Sequence, residues 1–320
     1  MHMRNKWLTV LVAFVLLLAA CQAPVEAPPA EQTPLETAAP EIPAPTPITG
    51  GTEVPATVLT DMMGRQVTVR GVPQRIASLS PAATEILFAL SAQGNLVAVD
   101  EGSDFPEEAA SIQKVSESDI AAILALTPDM VFIGRGFAQE AVEELTAKNI
   151  PVVCVEAATY SDIYAGIALT AQILRADASK LVEGMQQTVQ EVNASAAELD
   201  RQPTVLFALG YADGKATAAG TNSLAFSLIE LAGGIPVTSS AETFPVYSAE
   251  DVKALAPDVV LVSSDIDLEA LMDAPGFSEL PAVQEGRIYS IDATLSGRPG
   301  PRIVEGMKEI YEALELSLMS

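Results

Sequence analysis

The sequence predicts an α/β fold with two lobes, each built around a mainly parallel sheet, joined by one long helix and separated by a ligand cleft. Short β-rich runs alternate with helical patterns and turn signals, which is typical of βα units. Leu126–Ile133 matches Leu255–Val262, because in both a helix ends before proline and an aspartate leads into an apolar strand. Between them, residues 178–199 show the apolar spacing of an amphipathic helix. We therefore expect a first lobe over 56–176, a connecting helix over 177–200 and a second lobe over 201–320.

Local signals give the elements of the first lobe. Ser80 followed by Pro81 predicts a helix start, because serine caps free N–H groups and proline lacks the N–H that the first turn leaves unpaired. Apolar runs bounded by turn residues predict strands, and apolar positions three and four apart predict helices. The predicted strands are 67–69, 76–79, 96–99, 130–133 and 152–155, and the predicted helices are 80–91, 120–126, 139–148 and 162–174.

The second lobe repeats the alternation beyond Pro203. Gly233 and Gly234 close one of its helices, since glycine readily adopts the conformation that ends a helix. The predicted strands are 204–209, 259–262 and 288–291, and the predicted helices are 223–232, 249–255 and 302–314.

The N-terminal end predicts export. Two basic residues precede the apolar stretch Trp7–Ala20, which is short for a membrane span and typical of a secretion signal over residues 1–20. The stretch ends in Leu-Ala-Ala-Cys21, which resembles a bacterial lipobox and implies lipidation of Cys21. Residues 21–55 are rich in proline and poor in large apolar side chains, so we expect a semi-rigid tether. The protein is expected outside the cytoplasm, anchored by lipid to a bacterial membrane.

The composition restricts the partners. The net charge of −25 disfavours nucleic acid and anionic membrane surfaces, because both would be repelled. The 49% of hydrophobic residues indicates a sizeable core. Cys21 carries the lipid and Cys154 lies alone in an apolar run, so no disulfide is expected. We interpret Cys154 as a small apolar filler of a strand.

The mature sequence lacks the histidine-based catalytic arrangements, although its many carboxylates leave an acid/base pair open. The one histidine, His2, lies in the signal, which removes the commonest general base and any serine–histidine or cysteine–histidine pair. Gly134–Gly136 lacks the third glycine of a dinucleotide fingerprint and is interpreted as a turn. We therefore expect a binding protein and no enzyme. An exported enzyme and a structural or sensor lipoprotein are the alternatives from other classes.

Several motifs together resemble one family. They are the stretch Arg75–Leu90, the two Leu-x-Pro-Asp turns, and Lys215–Gly220 before Leu231–Gly234. These resemble the periplasmic binding proteins for cobalamin, heme and ferric siderophores, over about residues 57–318. The resemblance implies two Rossmann-like lobes with little hinge motion, which present a ligand to an ABC permease dimer and its ATPase. It implies a monomer without an intrinsic cofactor.

The ligand predicted from this resemblance is an iron complex, either a ferric siderophore or heme, with cobalamin as the alternative. Ligands of open α/β sheets lie beyond the carboxyl ends of strands. Aromatic rings there would stack on a macrocycle, and arginines would pair with its anionic groups. By this rule the candidate ligand-binding residues are Ser80, Phe105, Arg135, Phe137, Tyr211, Tyr247 and Arg298.

Metal ligation is open at this stage. The heme-binding members resemble one another in using a tyrosine from the loop before the first Leu-x-Pro-Asp helix. The matching loop here, Val115–Asp119, contains no tyrosine, which weakens the prediction of heme. Tyr211 and Tyr247 are the candidate phenolate ligands for iron(III). Asn222 is interpreted as a helix cap.

The resemblance also implies a docking surface for the permease. Each lobe of the family carries an exposed glutamate on the helix before Leu-x-Pro-Asp, and Glu250 occupies this place in the second lobe. The matching residue of the first lobe is Ala121. Asp119 lies close by, so it is predicted either to replace the missing carboxylate or only to cap its helix.

Overall fold

The computed structural model describes residues 56–238 and 242–319. The predicted signal, Cys21 and the tether lie outside the described residues. In the part of the chain that is described, none of the helices is both long and apolar enough to cross a bilayer.

The first lobe contains a parallel five-stranded sheet with strand order β5-β4-β3-β6-β7. An antiparallel hairpin of β1 and β2 precedes it. The strands are β1 Ala56–Thr60, β2 Gln66–Arg70, β3 Ile76–Leu79, β4 Leu96–Asp100, β5 Lys114–Val115, β6 Met130–Ile133 and β7 Val152–Cys154. The helices are α1 Pro81–Ala89, α2 Ile120–Ala125, α3 Gln139–Ala147 and α4 Ile163–Leu174.

The central strands of this sheet are buried on both faces. Every residue of β3 and β6 is buried, which is why both strands are continuous apolar runs without polar alternation. Cys154 ends β7 with no exposed surface and packs into the core of the lobe, as expected for an apolar filler. Burial raises the pKa of its thiol.

Helix α5, Ser179–Ala196, follows the first lobe and leads to the second. Its 18 residues make it about 27 Å long. Met185 and Val192 are buried in a core cluster that contains residues of both lobes, including Phe132 of the first and Phe207 of the second. The two lobes therefore share apolar contacts along this helix.

The second lobe has a mixed sheet with strand order β11-β9-β8-β12-β13, and β10 pairs beside the start of β8. Its strands are β8 Thr204–Ala212, β9 Lys215–Ala218, β10 Ile235–Pro236, β11 Val246–Ser248, β12 Val259–Ser263 and β13 Ile288–Ile291. Its helices are α6 Leu224–Leu231, α7 Ala249–Leu255, α8 Leu268–Met272, α9 Pro281–Gln284, α10 Ala293–Gly297 and α11 Ile303–Met319.

A hairpin makes this sheet mixed. β8 continues three residues beyond its predicted end at Leu209 and returns as antiparallel β9. Asp213 and Gly214 form the two-residue loop with φ of 52° and 71°. Positive φ at both positions is the requirement of a type I′ turn, which Asp-Gly satisfies well.

Each of the two Leu-x-Pro-Asp turns binds the backbone at the start of a central strand in its lobe. The residue before each proline is left-handed, with φ of 47° at Thr127 and 43° at Ala256. Asp129 accepts a hydrogen bond from the backbone N–H of Arg75 at 3.0 Å, just before β3. Asp258 accepts one from the backbone N–H of Thr204 at 2.8 Å, at the start of β8. The predicted two-lobed α/β fold is thereby confirmed.

Candidate functional site

A cleft lies between the two lobes, as predicted. Its main cavity of about 540 Å³ falls in the usual range for small-molecule sites. A second cavity of about 380 Å³ adjoins it and shares Glu156, Gly297 and Pro299. The first lobe lines the main cavity with Arg135 and residues 156–159. The second lobe lines it with Leu209, Asn222, Ser223, Leu224, Ala225, Thr243, Phe244, Ser296, Gly297 and Pro299.

Glu156 places a carboxylate on the first-lobe wall of the cleft. It follows β7, and its Oε2 accepts a hydrogen bond of 3.1 Å from Ser80 Oγ. Ser80 is buried and also caps α1, where it accepts from the backbone N–H of Ala83 at 3.3 Å. Gly134 leaves room for this carboxylate, because a Cβ there would lie 2.8 Å from Glu156 Oε2. Ser80, a predicted ligand contact, therefore orients Glu156.

The charged side chains that line this wall are Glu156 and Arg135. Burial, followed by the carboxylates of Asp100 and Glu156, raises the pKa of Glu117. Arg135 is exposed, and its Nη1 donates to the carbonyl of Met62 at 3.0 Å. Among the described residues that line the main cavity, Arg135 is the one that carries positive charge. The structure thus brings Arg135 to the cleft, and its contact with a ligand stays a prediction.

The start of α6 presents polar groups on the second-lobe wall. Ser223 caps this helix by accepting from the backbone N–H of Phe226 at 3.1 Å. Asn222, which was predicted to be the cap, precedes it with a left-handed φ of 72°. That prediction was wrong, because the serine one position later makes the capping contact. The Asn222 side chain is exposed at the cleft instead.

Phe244 gives the same wall an exposed aromatic ring. It is 57% exposed. The chain beside it is held by a hydrogen bond of 2.9 Å from the N–H of Gly220 to the carbonyl of Thr243. The hydrophobicity of Phe244 does not distinguish it from a core residue, and Phe244 does not follow a predicted strand. The sequence therefore gave no indication that Phe244 lines the cleft.

Arg298 lies at the rim of the adjoining cavity, but carboxylates of the first lobe already bind it. Its Nη1 donates to Glu85 Oε1 at 2.8 Å and to Asp104 Oδ1 at 2.9 Å. Burial alone would lower the pKa of Arg298, but these hydrogen bonds and charges raise it. Burial would likewise raise the pKa of Asp104, and Arg298 outweighs this and lowers it. Arg298 as a ligand contact stays a prediction.

Phe105 lies beside Arg302, at the junction of the lobes. The guanidinium carbon of Arg302 lies 3.7 Å from the centre of its ring, and Arg302 Nη2 donates to Glu85 Oε1 at 2.7 Å. Phe105 is 41% exposed, and it borders a separate cavity of about 410 Å³. The structure therefore brings Phe105 to the contact between the lobes, away from the main cavity.

The structure does not bring three predicted residues to the cleft. Phe137 is 8% exposed and packs in the first-lobe core, because the chain turns inward after Gly134–Gly136. Tyr211 lies within β8, since this strand is longer than predicted, and its ring meets Phe277 at 5.9 Å. Tyr247 packs against the same second-lobe core.

These positions leave the proposed phenolate ligands away from the residues that line the cleft. In the described ranges, no group of three or more His, Cys, Asp and Glu side chains is arranged to hold a metal ion.

The residues predicted for docking lie on helices α2 and α7. Glu250 is the second residue of α7 and is exposed. Asp119 is exposed and caps α2 by accepting from the backbone N–H of Ala122 at 3.0 Å. Ala121, the place of the missing glutamate, is exposed as well. The capping role of Asp119 is observed, and docking by either carboxylate stays a prediction.

Comparison with known proteins agrees with this architecture. Residues 76–295 match the periplasmic binding protein family model. The chain belongs to the periplasmic binding protein family. It is 24% identical over 273 residues to the uncharacterized ABC transporter substrate-binding lipoprotein YvrC of Bacillus subtilis (strain 168), covering 82% of this chain and 87% of the relative.

Two further relatives carry ligand names. The vitamin B12-binding protein of Vibrio parahaemolyticus is 28% identical over 247 residues, covering 76% of this chain and 90% of the relative. The solved structure of the periplasmic heme-binding protein RhuT from Roseiflexus sp. RS-1 is similar with a TM-score of 0.67 and 24% identity, covering 77% of this chain and 99% of that one. The second likeness concerns the fold alone.

Proposed function

We propose that this protein is the substrate-binding lipoprotein of an ABC importer and that it captures a largely neutral, amide-bearing metal macrocycle of the cobalamin kind. Membership of the binding protein family supports the first part, as do relatives named as an ABC substrate-binding lipoprotein and as vitamin B12-binding proteins. The observation that carries the second part is the lining of the main cavity, in which the second-lobe side chains are uncharged and the two charged first-lobe residues, Arg135 and Glu156, have opposite signs.

The lining combines apolar surface with uncharged hydrogen-bonding groups. Leu209, Leu224 and Phe244 offer apolar contacts to the flat face of a macrocycle. The Asn222 amide and the hydroxyls of Thr159 and Thr243 both donate and accept hydrogen bonds, which suits the amide substituents of a corrin ring. An uncharged ligand also avoids the repulsion that Glu156 and the net charge of −25 impose on an anion.

The iron complex predicted from the sequence is the second candidate, and Arg135 favours it. Heme and many ferric siderophores carry anionic oxygens, which an exposed guanidinium at the cleft would bind by charge-assisted hydrogen bonds. Glu156 on the same wall weakens this case, because it repels the same oxygens. The two candidates therefore differ in their dependence on Arg135.

The remaining partners follow from the same proposal. The lipid on Cys21 would hold the protein at the membrane, and the protein would act as a monomer that delivers its ligand to a permease dimer with an ATPase. Glu250, and more weakly Asp119, would contact the permease. No catalytic turnover is expected, so an exported enzyme or a sensor lipoprotein would be recognised by turnover or by the lack of a transported ligand.

Equilibrium dialysis with cyanocobalamin, hemin and ferrichrome tests the ligand class. We expect cyanocobalamin to bind the lipoprotein at one molecule per chain, with an affinity unchanged by Arg135→Ala. Tight binding of hemin or ferrichrome, weakened about tenfold or more by Arg135→Ala, would instead establish the iron complex, since a hydrogen bond to a charged group is worth about 1.5–3 kcal/mol. Failure of all three probes would refute both candidates.

A further inference from the structure

Four charged side chains and one aromatic ring form a cluster across the junction of the two lobes, here called the interlobe cluster. Glu85, Asp104 and Phe105 come from the first lobe, and Arg298 and Arg302 come from the second. The side chain of Glu85 is 3% exposed, and its Oε1 accepts a hydrogen bond from each arginine, at 2.8 Å and 2.7 Å. In the described ranges 56–238 and 242–319, the side-chain hydrogen bonds between the lobes converge on these two arginines.

The cluster is electrically balanced and geometrically restricted. Two carboxylates face two guanidinium groups, and the guanidinium carbon of Arg302 lies over the Phe105 ring, 3.7 Å from its centre. A planar guanidinium holds its partners in fixed directions, and stacking on a ring restricts it further. Removing one partner from a buried pair is strongly unfavourable, because the other charge is left without compensation. The cluster therefore resists separation of the lobes.

The same arginines belong to a segment that lines the cleft. Ser296, Gly297 and Pro299 line the main cavity, and this segment runs from α10 through Arg298 to Arg302 at the start of α11. Gly300 lies against the cluster, because a Cβ there would be 3.0 Å from Glu85 Oε2. Contacts that fix Arg298 and Arg302 to the first lobe therefore also fix the segment that faces the ligand.

We propose that Glu85, Arg298 and Arg302 are positioning residues that set the separation of the lobes, so that the cleft has its ligand-binding width before the ligand arrives. This inference rests on the proposed function in that it takes the cleft as the ligand site. If the cleft of every free molecule already has its binding width, the ligand binds with the full intrinsic affinity. If only a fraction of the free molecules has that width, the observed affinity is reduced by the same fraction. Glu85, which lines neither the main cavity nor the adjoining one, therefore acts on affinity without touching the ligand.

Distances between spin labels in the ligand-free protein test the inference directly. Ala125 of α2 and Ala254 of α7 are exposed and lie on different lobes, so cysteines there accept labels while Cys154 is buried. Double electron–electron resonance on the lipoprotein in detergent is expected to give one narrow distribution of distances, with or without cyanocobalamin. Glu85→Gln, which removes the charge and keeps the shape, is expected to broaden the distribution in the free protein.

The matched control is Asp258→Asn. It removes a carboxylate that binds Arg201 within the second lobe. It therefore tests the loss of an ion pair that does not connect the two lobes. This variant is expected to keep the narrow distribution and the affinity for cyanocobalamin. Glu85→Gln is expected to lower that affinity about tenfold, which corresponds to a competent fraction of about one tenth. Asp104→Asn, at the exposed edge of the cluster, is expected to cause a smaller change of the same kind.

The outcomes separate this inference from the proposed function. A narrow distribution in Glu85→Gln would overturn the positioning role, as would a broad one with unchanged affinity. If Glu85→Gln does not fold, Asp104→Asn takes its place, and an unchanged distribution in that variant would overturn the inference. If the unmodified protein binds none of cyanocobalamin, hemin and ferrichrome, the proposed function fails and with it the link to affinity, while the distances still decide whether the cluster holds the lobes.

Discussion

The two lobes begin their central strands with the same contact and end them differently. Asp129 and Asp258 each bind the backbone N–H of the residue at or just before a central strand. At the opposite ends of the strands, the first lobe carries the charged pair Arg135 and Glu156 on an all-parallel sheet. The second lobe, with its hairpin and mixed sheet, presents amide, hydroxyl and aromatic groups.

This contrast shows where the molecule is constrained. At the amino ends of the strands, the Leu-x-Pro-Asp turn holds the start of a central strand in each lobe. We call this shared arrangement the frame of the lobe. The carboxyl ends form the cleft, where ligands of α/β sheets bind, so they differ according to what each wall contacts. The lobes should therefore respond alike to changes in their frames and differently to changes in their walls.

The greatest loss of stability is expected from glycines that both lobes use for close helix contacts. In α4, a Cβ at Gly166 would collide with the carbonyl of Val155, and in α11 a Cβ at Gly306 would collide with that of Leu295. Gly166→Ala and Gly306→Ala are each expected to lower the free energy of unfolding by about 1–3 kcal/mol through overpacking. Urea unfolding measures this.

The control for these variants is Gly184→Ala in α5, where no other atom lies within 4 Å of the added Cβ. It is expected to raise the free energy of unfolding by about 0.5–1 kcal/mol, because alanine favours helix. Equal changes in the free energy of unfolding for all three variants would mean that close packing at Gly166 and Gly306 does not stabilise the lobes.

Removal of the two aspartates compares the frames of the lobes. Asp258→Ala should lower the free energy of unfolding by about 1–3 kcal/mol, because it leaves the half-buried backbone N–H of Thr204 without its acceptor. Asp129→Ala should lower it by about 0.5–1.5 kcal/mol, because water can reach the backbone N–H groups of Gln74 and Arg75. Asp258→Ala should have the larger effect, since Asp258 also binds Arg201 at 2.7 Å and the hydroxyl of Thr204 at 2.9 Å. Denaturant unfolding at neutral pH measures the difference.

The contribution of Asp258 should also depend on pH. Burial alone would raise the pKa of Asp258, but hydrogen bonds from Arg201 and Thr204 outweigh burial and lower it. A lowered folded pKa means that the stabilisation is present above the unfolded value, about 3.9, and is lost as pH falls through the folded pKa. The stability difference between the unmodified protein and Asp258→Ala should therefore shrink in acid. A constant difference down to about pH 2 would contradict the charge-based account.

A weaker effect is expected for docking, in which the lobes also differ. Glu250→Ala should weaken binding to the permease and leave ligand affinity unchanged, and Asp119→Ala should do so less, because Asp119 also caps α2. An exposed pair is worth about 0–1 kcal/mol, and a pair enclosed in an interface is worth more. Binding of the variants to the permease in nanodiscs measures this, and an unchanged affinity for Glu250→Ala would remove the docking role.

Much of the frame was predictable from local patterns. The strands Met130–Ile133 and Ile288–Ile291 and the helix Ala249–Leu255 have their predicted bounds, because continuous apolar runs and capping signals are read within a few residues. The hairpin of β8 and β9 was missed, although Asp213 and Gly214 are the strongest short signal for such a turn. The strand was predicted to end at Leu209, whereas β8 ends at Ala212.

The cleft was less predictable, because it depends on contacts between distant residues. The rule of strand ends identified Arg135, and applied after the last strand of the first lobe it would have found Glu156. No local pattern pairs Arg298 with Glu85, which lies 213 residues away in the sequence. Tyr211 was predicted to follow the end of a strand, but β8 continues to Ala212, so Tyr211 lies within the strand and its ring contacts Phe277.

The ligand site itself is tested by the affinity of the lipoprotein for cyanocobalamin after Phe244→Ala, with Val246→Ala as the matched control. Both residues are exposed apolar side chains of one short segment, at 57% and 58%, and only Phe244 lines the cleft. Loss of an aromatic contact is worth about 0.5–1.5 kcal/mol beyond the buried area, so Phe244→Ala should weaken binding about tenfold. Val246→Ala should bind like the unmodified protein. Equal affinities for both variants, or no cyanocobalamin binding at all, would contradict a cobalamin site between the lobes.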